Sequence, residues 1–319
     1  MHPDPGPPVS FSPPAPPRTG YRGRFAPSPT GTLHFGSLLA AFGSWLLARH
    51  AGGEWLVRIE DLDPPREIPG AAGDQLRTLA AFGLHADGPV LRQSDRGHVY
   101  QAALDHLLAS GAAFACHCSR SDLADDGGIH RRCVAGAMRA TPAFRLRVPP
   151  GTTLGFDDAI QGRVSQDVSE EVGDFVLKRA DGYWAYQLAV VVDDAAQGVT
   201  DVVRGADLLD STPRQLLLQR VLGLAAPRYA HLPLVVDAHG RKLSKSLAAM
   251  PVDAADPLPA LQAAWQALGQ AAIANARSVA AMLDAAREAF EPARIPAAAV
   301  GVRPAHGTDV IAVARDRVI

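Results

Sequence analysis

Cysteine is scarce: the chain has three in 319 residues, an odd number and too few for a disulfide scaffold, which points to a reducing compartment. Long apolar runs are missing too. No stretch approaches the ~18 uninterrupted apolar residues of a membrane span, and the N-terminus has no basic region followed by an apolar core. The expectation is a soluble, unexported, cytoplasmic protein with no membrane partner. An excess of one charge is absent as well: 31 Lys and Arg face 33 Asp and Glu, so composition gives no sign of a nucleic-acid partner, and any such contact must come from a local patch. Neither a Gly-x-Gly-x-x-Gly nor a P-loop pattern occurs, which argues against a dinucleotide-binding dehydrogenase or a P-loop NTPase.

What is present suffices for a proper core, since 47% of residues are hydrophobic, enough for one large or two modest domains. Residues 1–20 carry eight prolines and read as a disordered extension, because proline at that density forms neither helix nor sheet interior. Arg22 to Phe25 then reads as a strand, Pro27 to Thr32 as a loop, and His34 opens an amphipathic helix through Leu47. A helix N-terminus presents unpaired N–H groups and the positive end of a dipole. His34 and Gly36 there form a candidate phosphate site, which the missing side chain of Gly36 leaves open to a close ligand. Far downstream, after an apolar run from His231 to Val236 and a turn at Asp237 to Gly240, Lys242-Leu-Ser-Lys-Ser246 offers two cations and two hydroxyls to a polyphosphate.

Other segments are informative in order. Glu54 to Asp61 reads as a buried strand, leaving Glu60 and Asp61 at its carboxyl end, where ligands of open parallel sheets bind. A carboxylate there is a candidate partner for an ammonium. Residues 69–83 and 94–110 show helical periodicity. All three cysteines, Cys116, Cys118 and Cys133, fall within eighteen residues, and with His117 and His130 nearby they could supply four ligands to a tetrahedral zinc site. Ala143 to Val148 and Gly155 to Val168 alternate like strands, with Arg145 and Arg147 on one face. After Phe175 to Arg179, the apolar run Leu188 to Val192, closed by Asp193 and Asp194, reads as the sheet resuming. Tyr186 offers a hydroxyl and Arg204, after strand-like Val202 and Val203, a planar fork suited to a carboxylate. Ser211 or Thr212 caps a helix with Pro213 in its first turn, and residues 256–290 are Ala-rich and helical.

His34-Phe-Gly-Ser37 paired with Lys242-Leu-Ser-Lys-Ser246 resembles the two ATP motifs of class I aminoacyl-tRNA synthetases, and Arg24-Phe-Ala-Pro-Ser28 narrows the resemblance to the glutamyl branch. With Arg58-Ile-Glu-Asp61, Tyr186, Arg204 and the cysteine cluster, the chain from about Tyr21 to about Val300 is similar to the glutamyl-Q tRNA(Asp) synthetase family. That resemblance implies an α/β fold, a Rossmann-like doubly wound parallel sheet of the class I type with a zinc-containing insertion and a short helical C-terminal part. Its implied divisions are 21–112 and 183–250 as two halves of a nucleotide-binding domain, 113–182 as the inserted acceptor-type subdomain, 251–300 as the helical part and 301–319 as a tail.

The implied activity is ATP-dependent formation of glutamyl-adenylate from L-glutamate and transfer to the queuosine base in the anticodon loop of tRNA(Asp), with Mg²⁺ accompanying ATP. Arg24, Phe25, Ala26, Pro27, Ser28, Glu60, Tyr186 and Arg204 are the implied glutamate residues, with Glu60 on the amino group. His34, Gly36, Ser37, Lys242, Ser244, Lys245 and Ser246 are those for ATP, and His34, Gly36, Lys242 and Lys245 carry the catalysis. Ser37 stands where the wider class often has a histidine, and its hydroxyl can still donate. The family's metal pattern is Cys-x-Cys, a tyrosine after eleven residues, then a cysteine; His130 occupies the tyrosine position and the gap to Cys133 is one residue shorter. One structural zinc on Cys116, Cys118, His130 and Cys133 is therefore implied. His117, pointing the other way along an extended segment, is left out. The chain leaves no room for the helical anticodon-binding region of an ordinary glutamyl-tRNA synthetase. Arg145 and Arg147 are candidates for tRNA phosphates. The competing readings are a small glutamyl-tRNA synthetase charging the 3′ end and a non-catalytic paralogue.

Overall fold

The computed structural model describes residues 11, 20–236, 252–302 and 310–312. Strand and helix alternate at first: β1 (Arg22–Phe25), α1 (Phe35–His50), β2 (Glu54–Ile59), α2 (Ala71–Ala81), β3 (Leu91–Arg92) and α3 (Gly97–Ala109). Then come β4 (Ala113–Cys116), β5 (Ala143–Leu146), β6 (Thr153–Asp158), β7 (Gly162–Asp167), the short α4 (Val168–Glu171) and β8 (Phe175–Lys178). Alternation returns with α5 (Tyr186–Ala196), β9 (Asp201–Gly205), α6 (Thr212–Val221), β10 (Arg228–Leu232) and β11 (Val235–Val236). The chain continues through α7 (Pro257–Ala267), α8 (Val279–Ala289), β12 (Val300–Val302) and β13 (Val310–Ala312).

Parallel pairing joins β3 to β2, β2 to β1, and β9 to β10. The two groups meet where Thr200 N–H donates to Arg22 O at 3.0 Å, an ordinary backbone hydrogen-bond distance. The resulting α/β architecture of parallel strands and crossover helices is the one expected. Strand β2 is buried from Trp55 to Ile59, as a strand covered on both faces must be. Helix α1 supplies much of that cover with Phe35, Leu38, Leu39, Phe42 and Leu46. It lies so close to β10 that a Cβ on Gly43 would meet Leu232 Cδ1 at 2.7 Å, so glycine permits this packing. A separate antiparallel sheet, β4-β5-β8, carries the cysteine cluster beside it, while β6 pairs antiparallel with β7 and parallel with β10.

Several expectations are corrected. The apolar run Leu188 to Val192 is not a resumed strand but the body of α5, with every one of these side chains buried. A run buried on all sides has no periodicity by which to tell helix from strand. The strand-like segment from Gly155 to Val168 holds most of β6 and all of β7, joined by a turn, and the helical 256–290 holds α7 and α8. Helix α1 begins after His34 and extends to His50; α2 and α3 are shorter than their periodic segments. The turn at Asp237 to Gly240 lies outside the described residues. Among the described residues, no helix is long and apolar enough to cross a membrane.

Candidate active site

The strand ends and the start of α1 open onto a cleft of about 1260 Å³. Arg24, Phe25, Ala26, Pro27, Ser28, Glu60, Tyr186 and Arg204 line it, together with His34, Gly36 and Ser37. Residues separated by up to 180 positions thus share one cavity. Lys242, Ser244, Lys245 and Ser246 lie outside the described residues. The loop after β1 is pinned from two sides: Glu60 N–H donates to Pro27 O at 2.9 Å, and buried Gln75 donates through Nε2 to Ser28 O at 3.0 Å and Gly31 O at 2.7 Å. His34 is the N-cap of α1, its Nδ1 accepting from Ser37 N–H at 3.3 Å. A Cβ on Gly36 would stand 3.1 Å from His34 Cε1 and 3.2 Å from Nδ1, so this glycine makes room for the imidazole as well as for any ligand.

Beneath the cleft lies a charge network that sequence reasoning missed. Asp194, in the last part of α5, accepts from Arg24 Nε at 3.0 Å and Nη2 at 3.2 Å, and from Arg58 Nη1 at 2.7 Å. Arg58 is 0% exposed and also donates from Nη2 to Glu60 Oε1 at 3.2 Å. The neighbouring Asp193 accepts from Gln93, Arg96 and Tyr100. Burial pushes the carboxyl of Asp194 up, but Arg24 and Arg58 outweigh it and hold the group below its ordinary value. For Glu60 the balance falls the other way: burial raises it more than Arg58 and Arg24 lower it. Glu60 is therefore a carboxylate in want of another cation, at the wall of the cleft. Asp61, its neighbour, is instead occupied by Ser94 N–H and Oγ, each at 2.9 Å.

Arg24 enters the cleft with its Nε/Nη2 edge already committed to Asp194. Arg204 is held by another set: Nε donates to His231 Nε2 at 3.0 Å, Nη1 to the Tyr186 hydroxyl at 3.3 Å, and Nη2 to Thr212 Oγ1 at 2.8 Å. Burial pushes the phenol of Tyr186 up, with Arg204 opposing and Glu60 adding, which places all three in one electrostatic neighbourhood. The cleft can thus offer a carboxylate to an ammonium and arginine N–H groups to a carboxylate, beside a helix N-terminus suited to phosphate.

At the cleft's far edge, the ligand atoms of Cys116, Cys118, His130 and Cys133 all lie within 4.8 Å of one another, so the cluster could hold a metal ion. Cys118 itself lines the cleft. His130 Nε2 stands 3.3 Å from Cys116 Sγ, while Nδ1 pairs with Asp174 Oδ2 at 2.9 Å, the outer partner that fixes a metal-binding imidazole. Without a cation, burial followed by the sulfurs of Cys116 and Cys118 pushes the Cys133 thiol up to about 11. Three sulfurs this close suit a soft divalent ion that would draw the protons off. His117 stays outside, its Nδ1 accepting from Arg139 N–H at 3.1 Å. Arg145 lines the cleft and donates to Asp174 O at 2.9 Å, whereas Arg147 turns away and stacks its guanidinium over Phe114 at 4.6 Å.

The family described as tRNA synthetases class I (E and Q), catalytic domain, matches residues 21–136 and 135–262. The chain is 71% identical over 278 residues to the glutamyl-Q tRNA(Asp) synthetase of Xanthomonas campestris pv. campestris (strain 8004), covering 86% of this chain and 93% of the relative. It is 57% identical over 265 residues to the protein of the same name from Burkholderia cenocepacia (strain HI2424), covering 79% and 89%. Among solved structures, the glutamate-tRNA synthetase of Elizabethkingia anophelis superposes with a TM-score of 0.75 at 25% identity, over 89% of this chain and 68% of that one.

Proposed function

The chain belongs to the glutamyl-Q tRNA(Asp) synthetase family of class I tRNA synthetases, ligase-type enzymes, and on that premise we propose that it activates L-glutamate with ATP and transfers it to the queuosine of the tRNA(Asp) anticodon loop. The observation that carries the reading is the single cleft in which Glu60, Arg24, Arg204 and Tyr186 gather beside the N-terminus of α1. Glu60 takes the substrate ammonium, a role suited to a carboxylate whose burial is only partly compensated. Arg204 and Arg24, whose Nη1 has no partner among the described residues, face the carboxylates, with Phe25, Ala26, Pro27 and Ser28 forming the wall. His34, Gly36 and Ser37 cradle phosphate at the helix terminus.

Activation is in-line attack of a glutamate carboxylate oxygen on the α-phosphorus of ATP, forming the acyl–phosphate bond and releasing pyrophosphate. No side chain need become covalently attached, so positioning and charge neutralisation do the catalysis. Lys242 and Lys245, with Ser244 and Ser246, stabilise the departing pyrophosphate, and Mg²⁺ enters with ATP. Cys116, Cys118, His130 and Cys133 hold one zinc ion; four protein ligands leave no open coordination position, so its part is to fix the β4-β5 end of the cleft. Arg120, Arg139 and Arg145 line that arm, where tRNA phosphates would pass. In this reading 113–182 is an insertion between two halves, 21–112 and 183–250, of the nucleotide-binding domain, followed by the helical part 251–300. Pyrophosphate exchange into ATP, measured with tRNA present, tests the first step. Exchange that depends on glutamate and not on glutamine or aspartate is expected; its absence in folded protein would support a non-catalytic paralogue.

A further inference from the structure

Arg204 draws its orientation from a buried pair on two other strands. Its Nε carries one hydrogen and can only donate, so the nitrogen facing it at 3.0 Å, His231 Nε2, must be the bare, accepting one. The imidazole proton then lies on Nδ1, which faces Asp158 Oδ2 at 2.5 Å. Asp158 is itself anchored without the ring: its Oδ1 accepts from the backbone N–H groups of Ile160, Gln161 and His231 at 3.0, 2.8 and 3.1 Å. Both side chains of the pair are 0% exposed, and Tyr229 stacks on the imidazole at 6.2 Å. Thr212 Oγ1, 3.3 Å from Nε2, closes the same edge of the guanidinium. Burial keeps His231 below its ordinary pKa against the pull of Asp158, in keeping with a neutral ring.

We infer that Asp158 and His231 are positioning residues for Arg204, and that by occupying its Nε edge they leave one N–H on each terminal nitrogen for the side-chain carboxylate of the substrate, making the site selective for a carboxylate over a carboxamide at that end. The inference rests on the glutamate reading above. Among the described residues, His231, Tyr186 and Thr212 use three of the five donors. The two that remain match the two oxygens of a carboxylate, whereas the NH₂ of a carboxamide would set hydrogen against hydrogen. Neither His231 nor Asp158 lines the cleft, so their effect reaches the ligand only through Arg204.

Three variants test it. Asp158→Asn keeps the shape, but the three N–H groups at Oδ1 fix the amide oxygen there and turn its NH₂ toward His231 Nδ1. That drives the imidazole proton to Nε2, against Arg204. The expected result is a glutamate affinity about 10- to 100-fold weaker, as for loss of a charge-assisted hydrogen bond, a narrowed preference for glutamate over glutamine, and an unchanged KM for ATP. His231→Leu should do the same, the double variant should add little, and His231→Gln, which restores an acceptor near Nε2, should recover most of the affinity. ¹⁵N shifts of the ring, read without any ligand, should show the proton on Nδ1 in the wild type and on Nε2 in Asp158→Asn. A wild-type proton on Nε2, or folded Asp158→Asn and His231→Leu proteins with undiminished glutamate affinity and selectivity, would overturn the inference. The expected tautomers combined with a wild type that binds no glutamate would count against the substrate reading instead.

Discussion

Replacing Asp194 by Asn changes almost no volume and creates no cavity, so its effect is the loss of the charge together with one acceptor, because the amide NH₂ faces an arginine N–H. Asp194 accepts from both Arg24 Nε and Nη2 and from Arg58 Nη1, and the two arginines are 2% and 0% exposed. Arg58 keeps Glu60 at 3.2 Å and Asp193 at 4.0 Å. Arg24 keeps no carboxylate partner among the described residues. Removing one partner of a buried ion pair costs about 3–5 kcal/mol, because the other charge is left without compensation. At roughly 2–4 °C per kcal/mol for a large domain, Tm should fall by roughly 6–20 °C. Glutamate affinity should fall in the same protein, since Arg24 loses the edge that orients it. The two arginines hold Asp194 below its ordinary value, so its contribution is complete above about pH 4 and lost as pH drops through the lowered value. Thermal melting followed by circular dichroism at pH 7 decides it. An Asp194→Asn protein melting within about 2 °C of wild type would refute the reasoning that this carboxylate offsets buried charge.

Other outcomes follow from the proposed function. Lys245→Ala should slow adenylate formation by about 10²-fold with little change in glutamate affinity, as loss of a transition-state stabiliser does; a near-normal single-turnover rate would remove this lysine from the chemistry. Protein purified without chelator should hold one zinc per chain by elemental analysis, and Cys118→Ser should lose it and melt lower; wild-type protein with far less than one equivalent would contradict the ligand set. Because the carboxyl of Glu60 is raised in the free protein while an ammonium requires it ionised, glutamate binding should weaken as pH falls, starting above the ordinary glutamic-acid range. Calorimetric titrations across pH should show that step in wild type and not in Glu60→Gln; a flat wild-type profile would mean Glu60 does not meet the ammonium.

Much of the site was legible because its residues stand in short, dense strings. The run from Arg24 to Ser28, His34 with Gly36, and Cys-x-Cys with His130 carry their chemistry locally, and the strand Glu54 to Ile59 is marked by its bounded apolar run. What escaped was long-range partnership. Asp194 meets Arg24 across 170 positions and His231 meets Asp158 across 73, and nothing in the local sequence distinguishes these acids from surface ones. The misreading of Leu188 to Val192 as a strand had a further cost: it left Asp193 and Asp194 as no more than the close of that strand, whereas both are buried on α5, where Asp194 meets Arg24 and Arg58. The surroundings of Arg147 were not legible for a related reason: alternation gives a face, but not the Phe114 ring over which this exposed guanidinium lies.

The most direct test of glutamate transfer to queuosine uses labelled glutamate, ATP and two tRNA pools, one from cells that make queuosine and one from cells that do not, each intact and with its 3′-terminal adenosine removed. The expected result is label on the queuosine-containing pool with or without the 3′ adenosine, and none on the other pool. Label that requires the 3′ adenosine and ignores queuosine would contradict it and identify an enzyme charging the acceptor end.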